Sequence, residues 1–211
     1  MDLLRLLWPE AVLLRDLVFR PAADSRARLD SLLSPVGSRL TSPVLAMAPG
    51  AAQPNKMWDA TRFAEVARRW IDTFKGTVVL AGSDVEQGRC REIMERVGHP
   101  GTRNLAGAGD LVLTAEILRR ADVFLGNDSG LAHLASAVGT HTVVISGPGD
   151  PSEVAPFTTL AVTVRHPVFC SPCFRNSCWR RDRPLECLTE VSVDDVWSHI
   201  SRGVTKSFRS A

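Results

Sequence analysis

Residues 121–145 read ADVFLGNDSGLAHLASAVGTHTVVI. Two apolar runs, Val123-Phe124-Leu125 and Thr142-Val143-Val144-Ile145, enclose a stretch holding an acid, a hydroxyl, glycines and a histidine. A short apolar run bounded by turn residues reads as a strand buried on both faces, and Leu131 to Val138 carries apolar residues at helical spacing before Gly139. The spacing therefore predicts a strand over 122–126, a helix over 130–138 and a strand over 141–146.

Outward from this unit the alternation continues. Pro43 to Ala48 predicts a buried strand ending at Pro49-Gly50, followed by the loop AAQPNKMW. Asp59 is placed to cap a helix from Ala60 to Phe74, with Phe63, Val66, Trp70 and Phe74 on one face and Gly76 as its stop. Thr77 to Ala81 is the next strand, and Gly82-Ser83-Asp84 opens a helix through about Val97 with Ile93, Met94 and Val97 inward. A short strand over 103–105, a helix over 110–120 and a last helix over 192–201 complete the reading. Apolar strands separated by helices of ten or so residues demand a parallel sheet covered on both faces, so the expected fold is α/β, doubly wound.

Bulk composition agrees with one soluble domain. The 211 residues are 45% apolar and 23% charged, with a formal charge of +2. That balance argues against a nucleic-acid partner, although arginine far outnumbers lysine and suits bidentate contact with phosphate or carboxylate. The first twenty residues are apolar, but Asp2, Arg5, Glu10, Arg15 and Asp16 interrupt them and Pro9 breaks the helical reading. They predict neither a transmembrane segment nor a signal peptide, and the expectation is a cytoplasmic chain whose amphipathic start packs on a core or partner.

In open parallel sheets ligands bind at the carboxyl ends of the strands, where loops enter helix N-termini. Three loops there hold unusual residues: 49–56, 82–86 and 126–130, with 147–151 on the same rim. Gly126 and Gly130 would let the backbone turn and approach a ligand, while the free N–H groups of the helix beginning near Ser129 attract an anion such as a diphosphate. His133, four residues on, faces the same side. Lys56, the cation of the first loop, would stand at the cleft mouth beside Trp58 and neutralise phosphate charge. Asp84 or Glu86 is placed to accept from ribose hydroxyls. Simpler roles stay open: Asp128 or Asp84 as a helix cap, His133 as a packing residue, Lys56 as a solvated lysine. No G-x-G-x-x-G follows the first strand, which argues against a dinucleotide-dependent dehydrogenase.

The stretches P-G-A-A-x-x-x-K-M-W, V-V-L-A-G-S-x-x-E and D-S-G-L-A-H-L-A-S-A-V-G-T-x-x-V-x-I-S-G-P-x-D-P resemble the C-terminal domain of the ADP-heptose:lipopolysaccharide heptosyltransferases, glycosyltransferase family 9, over about Val44 to Val196. The resemblance implies the donor-binding half of a two-domain GT-B enzyme that inverts configuration on transfer. It divides the chain into an N-terminal helical segment or linker remnant over 1–40 and a nucleotide-sugar-binding Rossmann-like domain over 41–205. By the same resemblance Lys56 would contact the diphosphate, Asp84 or Glu86 the ribose, and Asp128, Ser129, Gly130 and His133 the phosphates and sugar. Implied partners are ADP-heptose or a similar nucleotide sugar, a lipopolysaccharide-type acceptor at the inner membrane face and an acceptor-domain partner chain. This sequence has Gly149 where the family usually has a hydroxyl residue and Met57 where arginine is common. The family's catalytic carboxylate belongs to the other half, so the catalytic residue is unknown. A domain that holds nucleotide sugar without transferring it is the competing reading.

Four of the five cysteines cluster as Cys170-x2-Cys173-x4-Cys178-x8-Cys187 within the loop 165–190. That is the ligand count of a structural tetrathiolate site, with zinc the default and iron an alternative, against the reading of free buried thiols. Cysteine-rich loops in this region occur among family members, by the same resemblance. Disulfides are disfavoured in a cytosolic chain, no cofactor is expected for catalysis itself, and Cys90 is expected in the core.

Overall fold

The structure is a computed structural model that describes residues 17–33 and 40–207. The amphipathic reading of the first twenty residues therefore lies almost wholly outside the described residues. In chain order the elements are α1 (Ser25–Leu33), β1 (Val44–Ala48), α2 (Ala60–Phe74), β2 (Thr77–Leu80), α3 (Gln87–Val97), β3 (Thr102–Asn104), α4 (Leu111–Arg119), β4 (Val123–Asn127), α5 (Gly130–Ala137), β5 (His141–Ile145), α6 (Pro151–Val154), β6 (Ala161–Val164), α7 (Glu186–Thr189) and α8 (Val193–Ser207). Two 3-10 turns, Pro54–Lys56 and Asp84–Glu86, lie in the loops after β1 and β2.

The six strands form one parallel sheet in the order β3-β2-β1-β4-β5-β6. This is the doubly wound arrangement, and its order reverses between β1 and β4, where a crevice opens beyond the strand ends. Period-two alternation divides the sheet into two cores. Leu45, Met47, Leu125, Val143 and Ile145 pack beneath α2, α3 and α8 with Phe63 and Trp70, while Val44, Ala46, Phe124 and Val144 pack beneath α1, α4 and α5 with Leu29 and Leu118.

Helix boundaries follow their caps. Asp59 accepts from Thr61 N and Arg62 N at the head of α2, which ends at Lys75 in a left-handed conformation, and Asp110 caps α4 by accepting from Leu113 N. The helix expected from Asp84 is split: a 3-10 turn closed by the Ser83–Glu86 capping box precedes α3. Sequence reading missed α1 and β6. Only Ser25, Leu29 and Leu33 of α1 are buried, too few for an apolar face, and edge strand β6 is fully buried only at Val164. Met94, expected inward, is only partly buried against the core. Cys90 is fully buried, and burial pushes its thiol up to about 12.

An ion-pair chain docks α1 on α4. Glu116 has a 2% exposed side chain, binds Arg119 at 2.7 Å and Arg120 at 2.9 Å, and Arg120 reaches Asp30 of α1 at 2.7 Å. Burial pushes the Glu116 carboxyl up, but the two arginines outweigh it and hold it below its ordinary 4.5. A carboxylate depressed in the folded state contributes stability that is present above its unfolded pKa and lost as pH falls through the folded one. Glu116→Gln is therefore expected to destabilise the chain by roughly 2 kcal/mol at neutral pH, with the deficit shrinking as pH drops below about 4.5. Thermal melts across that range check it, and a deficit constant with pH would contradict the assignment.

Candidate functional site

The loops after β1 and β4 are joined by one buried side chain. Asn127, fully buried at the end of β4, donates from Nδ2 to Pro49 O at 2.8 Å and Gly50 O at 3.2 Å, and its Oδ1 accepts from Trp58 N at 3.0 Å. Arg89 of α3 adds a bond to Pro49 O at 2.9 Å and another to Trp58 O. Trp58 is core, not cleft: it is 1% exposed and its indole donates to Val191 O at 3.0 Å. The loop between these anchors carries the Pro54–Lys56 turn, and so Lys56, across to β4.

There Lys56 Nζ meets Asp128 Oδ2 at 2.8 Å. Asp128 is thus not the helix cap; Ser129 occupies the cap position of α5 and makes no side-chain cap bond. The first N–H groups of α5 are left without a capping side chain, beside a lysine held by an aspartate. Lys56, Asp128, Ser129, Gly130 and His133 all line one cleft of ≈ 460 Å³, with Glu153 of α6 on its far wall. A substituent on Gly130 would meet nothing within 4 Å, so open space lies directly beyond the helix terminus. His133 is exposed, which rules out the packing role.

A second hollow of ≈ 520 Å³ shares Ser129, Gly130 and His133 with the first and extends past Gly50, Glu86 and Leu111. The 3-10 turn separates the two acids left open by the sequence. Glu86 lines this hollow, with Oε2 accepting from Ser83 N at 2.6 Å and Oε1 packed so closely on Gly50 that a β-carbon there would lie 1.6 Å away. Asp84 lines neither hollow; its carboxylate accepts from Gln87 Nε2 at 3.1 Å and abuts Gly107. Gly126 also departs from expectation. It is inside β4, and a β-carbon there would lie 2.6 Å from the Phe124 ring, so packing and not ligand approach demands glycine. Asn127, Arg89 and Glu153 were missed, the first two because their partners lie 31 to 78 residues away.

The cysteines gather elsewhere on the same rim. Cys170, Cys173, Cys178 and Cys187 line one cavity of ≈ 20 Å³ together with Asn55 and Pro148. All four are free thiols, and Cys187 is pushed up to about 11 by burial and by the other three. Among the described residues no group of three or more His, Cys, Asp or Glu side chains is placed so that it could hold a metal ion.

The carboxyl edge of the sheet thus brings together an uncapped helix terminus, the Lys56–Asp128 pair and, in the adjoining hollow, Glu86. The sequence profile of glycosyltransferase family 9 (heptosyltransferase) matches residues 15–182. The chain belongs to that family. Lipooligosaccharide heptosyltransferase 2 of Campylobacter jejuni subsp. jejuni serotype O:6 is 26% identical over 166 residues, covering 75% of this chain and 51% of its own. Lipopolysaccharide heptosyltransferase 2 of Escherichia coli is 32% identical over 127 residues, covering 58% and 36%. The solved E. coli ADP-heptose lps heptosyltransferase II superposes with a TM-score of 0.73 at 22% identity, over 94% of this chain and 56% of that one, which establishes the fold. This family 9 chain spans about half the length of the curated relatives it matches. Among its described residues no helix is long and apolar enough to cross a membrane.

Proposed function

We propose that the chain binds a nucleoside-diphosphate sugar, ADP-heptose or a close relative, and serves its transfer to a lipopolysaccharide-core-type acceptor at the cytoplasmic face of the inner membrane. The observation that carries this reading is the shared cleft: Lys56 and the uncapped terminus of α5 face the same space. A glycosyl transfer breaks the bond from the anomeric carbon to the diphosphate, and the charge that develops on the leaving group must be met by preorganised donors. In this reading the N–H groups of α5, the Ser129 hydroxyl, His133 and Lys56 supply them.

Asp128 has a different part. A carboxylate against a diphosphate is repulsive, so it orients the Lys56 ammonium through their 2.8 Å contact and offers its second oxygen to a sugar hydroxyl. Glu86, in the adjoining hollow, accepts from the ribose, and Asp84 is set aside because it faces Gln87. The described walls of the cleft all come from one sheet edge, which favours a second reading as well: a donor-holding module that transfers only with an acceptor-domain partner chain.

One experiment addresses both. Calorimetric titration with ADP and ADP-heptose is expected to show binding, and Lys56→Ala should weaken it by at least about 1 kcal/mol, the value of a charge-assisted contact. Unchanged affinity would remove Lys56 from the site. Addition of a truncated lipopolysaccharide acceptor then separates the readings: turnover supports transfer by this chain, and binding without turnover supports the partner-dependent module.

A further inference from the structure

We infer that the loop between β6 and α7, which carries Phe169, Phe174 and Trp179, is a contact surface for an anionic phospholipid bilayer, and that it sets the donor cleft beside the membrane.

Exposed aromatic side chains mark the surface. Among the described residues four large aromatic side chains stand exposed, and three of them, Phe169 at 82%, Phe174 at 55% and Trp179 at 52%, belong to this one loop. Apolar side chains scattered singly over a surface are ordinary, whereas a cluster marks an interaction site. Here the Phe169 and Trp179 rings meet edge to face at 6.4 Å, and the Arg180 guanidinium lies 5.0 Å from the centre of the Phe169 ring. The loop is held to the rest of the fold. Ser171 Oγ donates to Gly147 O at 2.6 Å, Cys173 N and Phe174 N donate to Pro148 O, and Leu185 N donates to Cys178 Sγ at 3.3 Å. The rings are therefore exposed in a fixed arrangement, and seating them in an interface adds little ordering cost.

Charge selects the partner. From 165 to 187 the sequence holds five arginines against Asp182 and Glu186, so the small positive excess of the whole chain is concentrated here. Arg180 is engaged by Asp182 and Glu186, and Arg183 by Glu186, but Arg175 and Arg181 are exposed and in no ion pair among the described residues. Rings with apolar bodies and arginines with wet heads suit the headgroup layer, where the rings reach the acyl boundary and the guanidinium groups meet lipid phosphates. A single-stranded nucleic acid also takes rings and arginines, but its backbone needs a continuous basic groove, and Asp182, 67% exposed, stands between Arg181 and Arg183.

The same loop is tied to the cleft. Asn55 Nδ2 donates to Arg175 O at 2.6 Å, and Gln53, on the cleft wall, donates from Nε2 to Asn176 Oδ1 at 2.7 Å. Lys56 follows Asn55 directly, so the segment from Phe174 to Trp179 and the turn bearing the lysine share one rim. A bilayer met by this loop lies next to the cleft, where an acceptor embedded in lipid would be presented. That consequence rests on the function proposed above; the bilayer contact itself does not.

Sedimentation of the full chain with vesicles of phosphatidylethanolamine and phosphatidylglycerol is expected to carry the protein down. Partition onto phosphatidylcholine vesicles, or onto the anionic vesicles in high salt, should be weaker by about tenfold or more. Phe169→Ser combined with Trp179→Ser, and separately Arg181→Glu, should each weaken it by about tenfold, with melting temperatures unchanged because the side chains are exposed. Hydrogen exchange on the unmutated chain locates the contact without relying on any variant: anionic vesicles should slow exchange across residues 168–181 by about tenfold. Failure to bind anionic vesicles would overturn the contact, as would slowing confined to residues 1–33, which would assign it to the start of the chain. Binding of a single-stranded oligonucleotide in place of vesicles would overturn it in favour of a nucleic-acid surface. None of these measurements contains nucleotide sugar, so a chain that binds vesicles but not ADP would uphold the contact and remove the donor-binding reading alone.

Discussion

Asn127→Ala is expected to destabilise the chain by roughly 3 kcal/mol and to abolish tight nucleotide binding with it, because both depend on the same side chain. The substitution leaves the Trp58 N–H without its acceptor and Gly50 O without its donor. Pro49 O keeps the Arg89 guanidinium, so the loss falls mainly on those two groups. Each buried polar group left unsatisfied costs about 1–3 kcal/mol, a large share of a domain's 5–15 kcal/mol. Asn127→Asp should not rescue: it restores the acceptor for Trp58 N but offers no donor to the carbonyls and buries a charge. Denaturant unfolding measures the first effect and titration with ADP the second. A loss below about 1 kcal/mol would show that the two loops are held together by something other than this amide.

How far these features could be read from sequence varies with their range in the chain. The unit β4-α5-β5 was legible because it is local: two apolar runs, a helical pattern and a glycine suffice to place it within a residue or two. The uncapped helix terminus came with it. The order of strands did not, and with it the fact that Lys56 and Asp128, 72 residues apart, touch across the switch point between β1 and β4. Sequence reading put a free lysine at the cleft; tertiary structure gives it a carboxylate, so the positive field there comes as much from the amides of α5 as from the ammonium. Which of Asp84 and Glu86 lines the hollow was equally beyond reach, since it turns on the three-residue 3-10 turn, Asp84–Glu86, that precedes α3 and on the absence of a side chain at Gly50. Weakly patterned elements failed for a simpler reason. α1 and β6 bury one flank only, and a segment that shows the core few side chains writes little of itself into the sequence.

The amides of α5 can be tested apart from the fold. Gly130→Glu is expected to fold as well as the parent and to lose diphosphate affinity by about a hundredfold or more, the combined effect of a carboxylate in the anion's place and its charge. Folding should not suffer, for three reasons. A β-carbon at Gly130 meets no atom within 4 Å, the residue lies outside the left-handed region that would demand glycine, and an acidic side chain in the first turn of a helix is worth a few tenths to 1 kcal/mol in its favour. Binding should suffer because that carboxylate takes the anion's place at the N–H groups and competes for Lys56. Gly130→Ala adds bulk without charge and should cost little of either. Thermal melts paired with titration across the two variants separate the effects. Equal affinities for the alanine and glutamate variants would place the anion elsewhere, and a large drop in melting temperature for glutamate would mean that the space beyond the helix terminus is needed by the protein and not by a ligand.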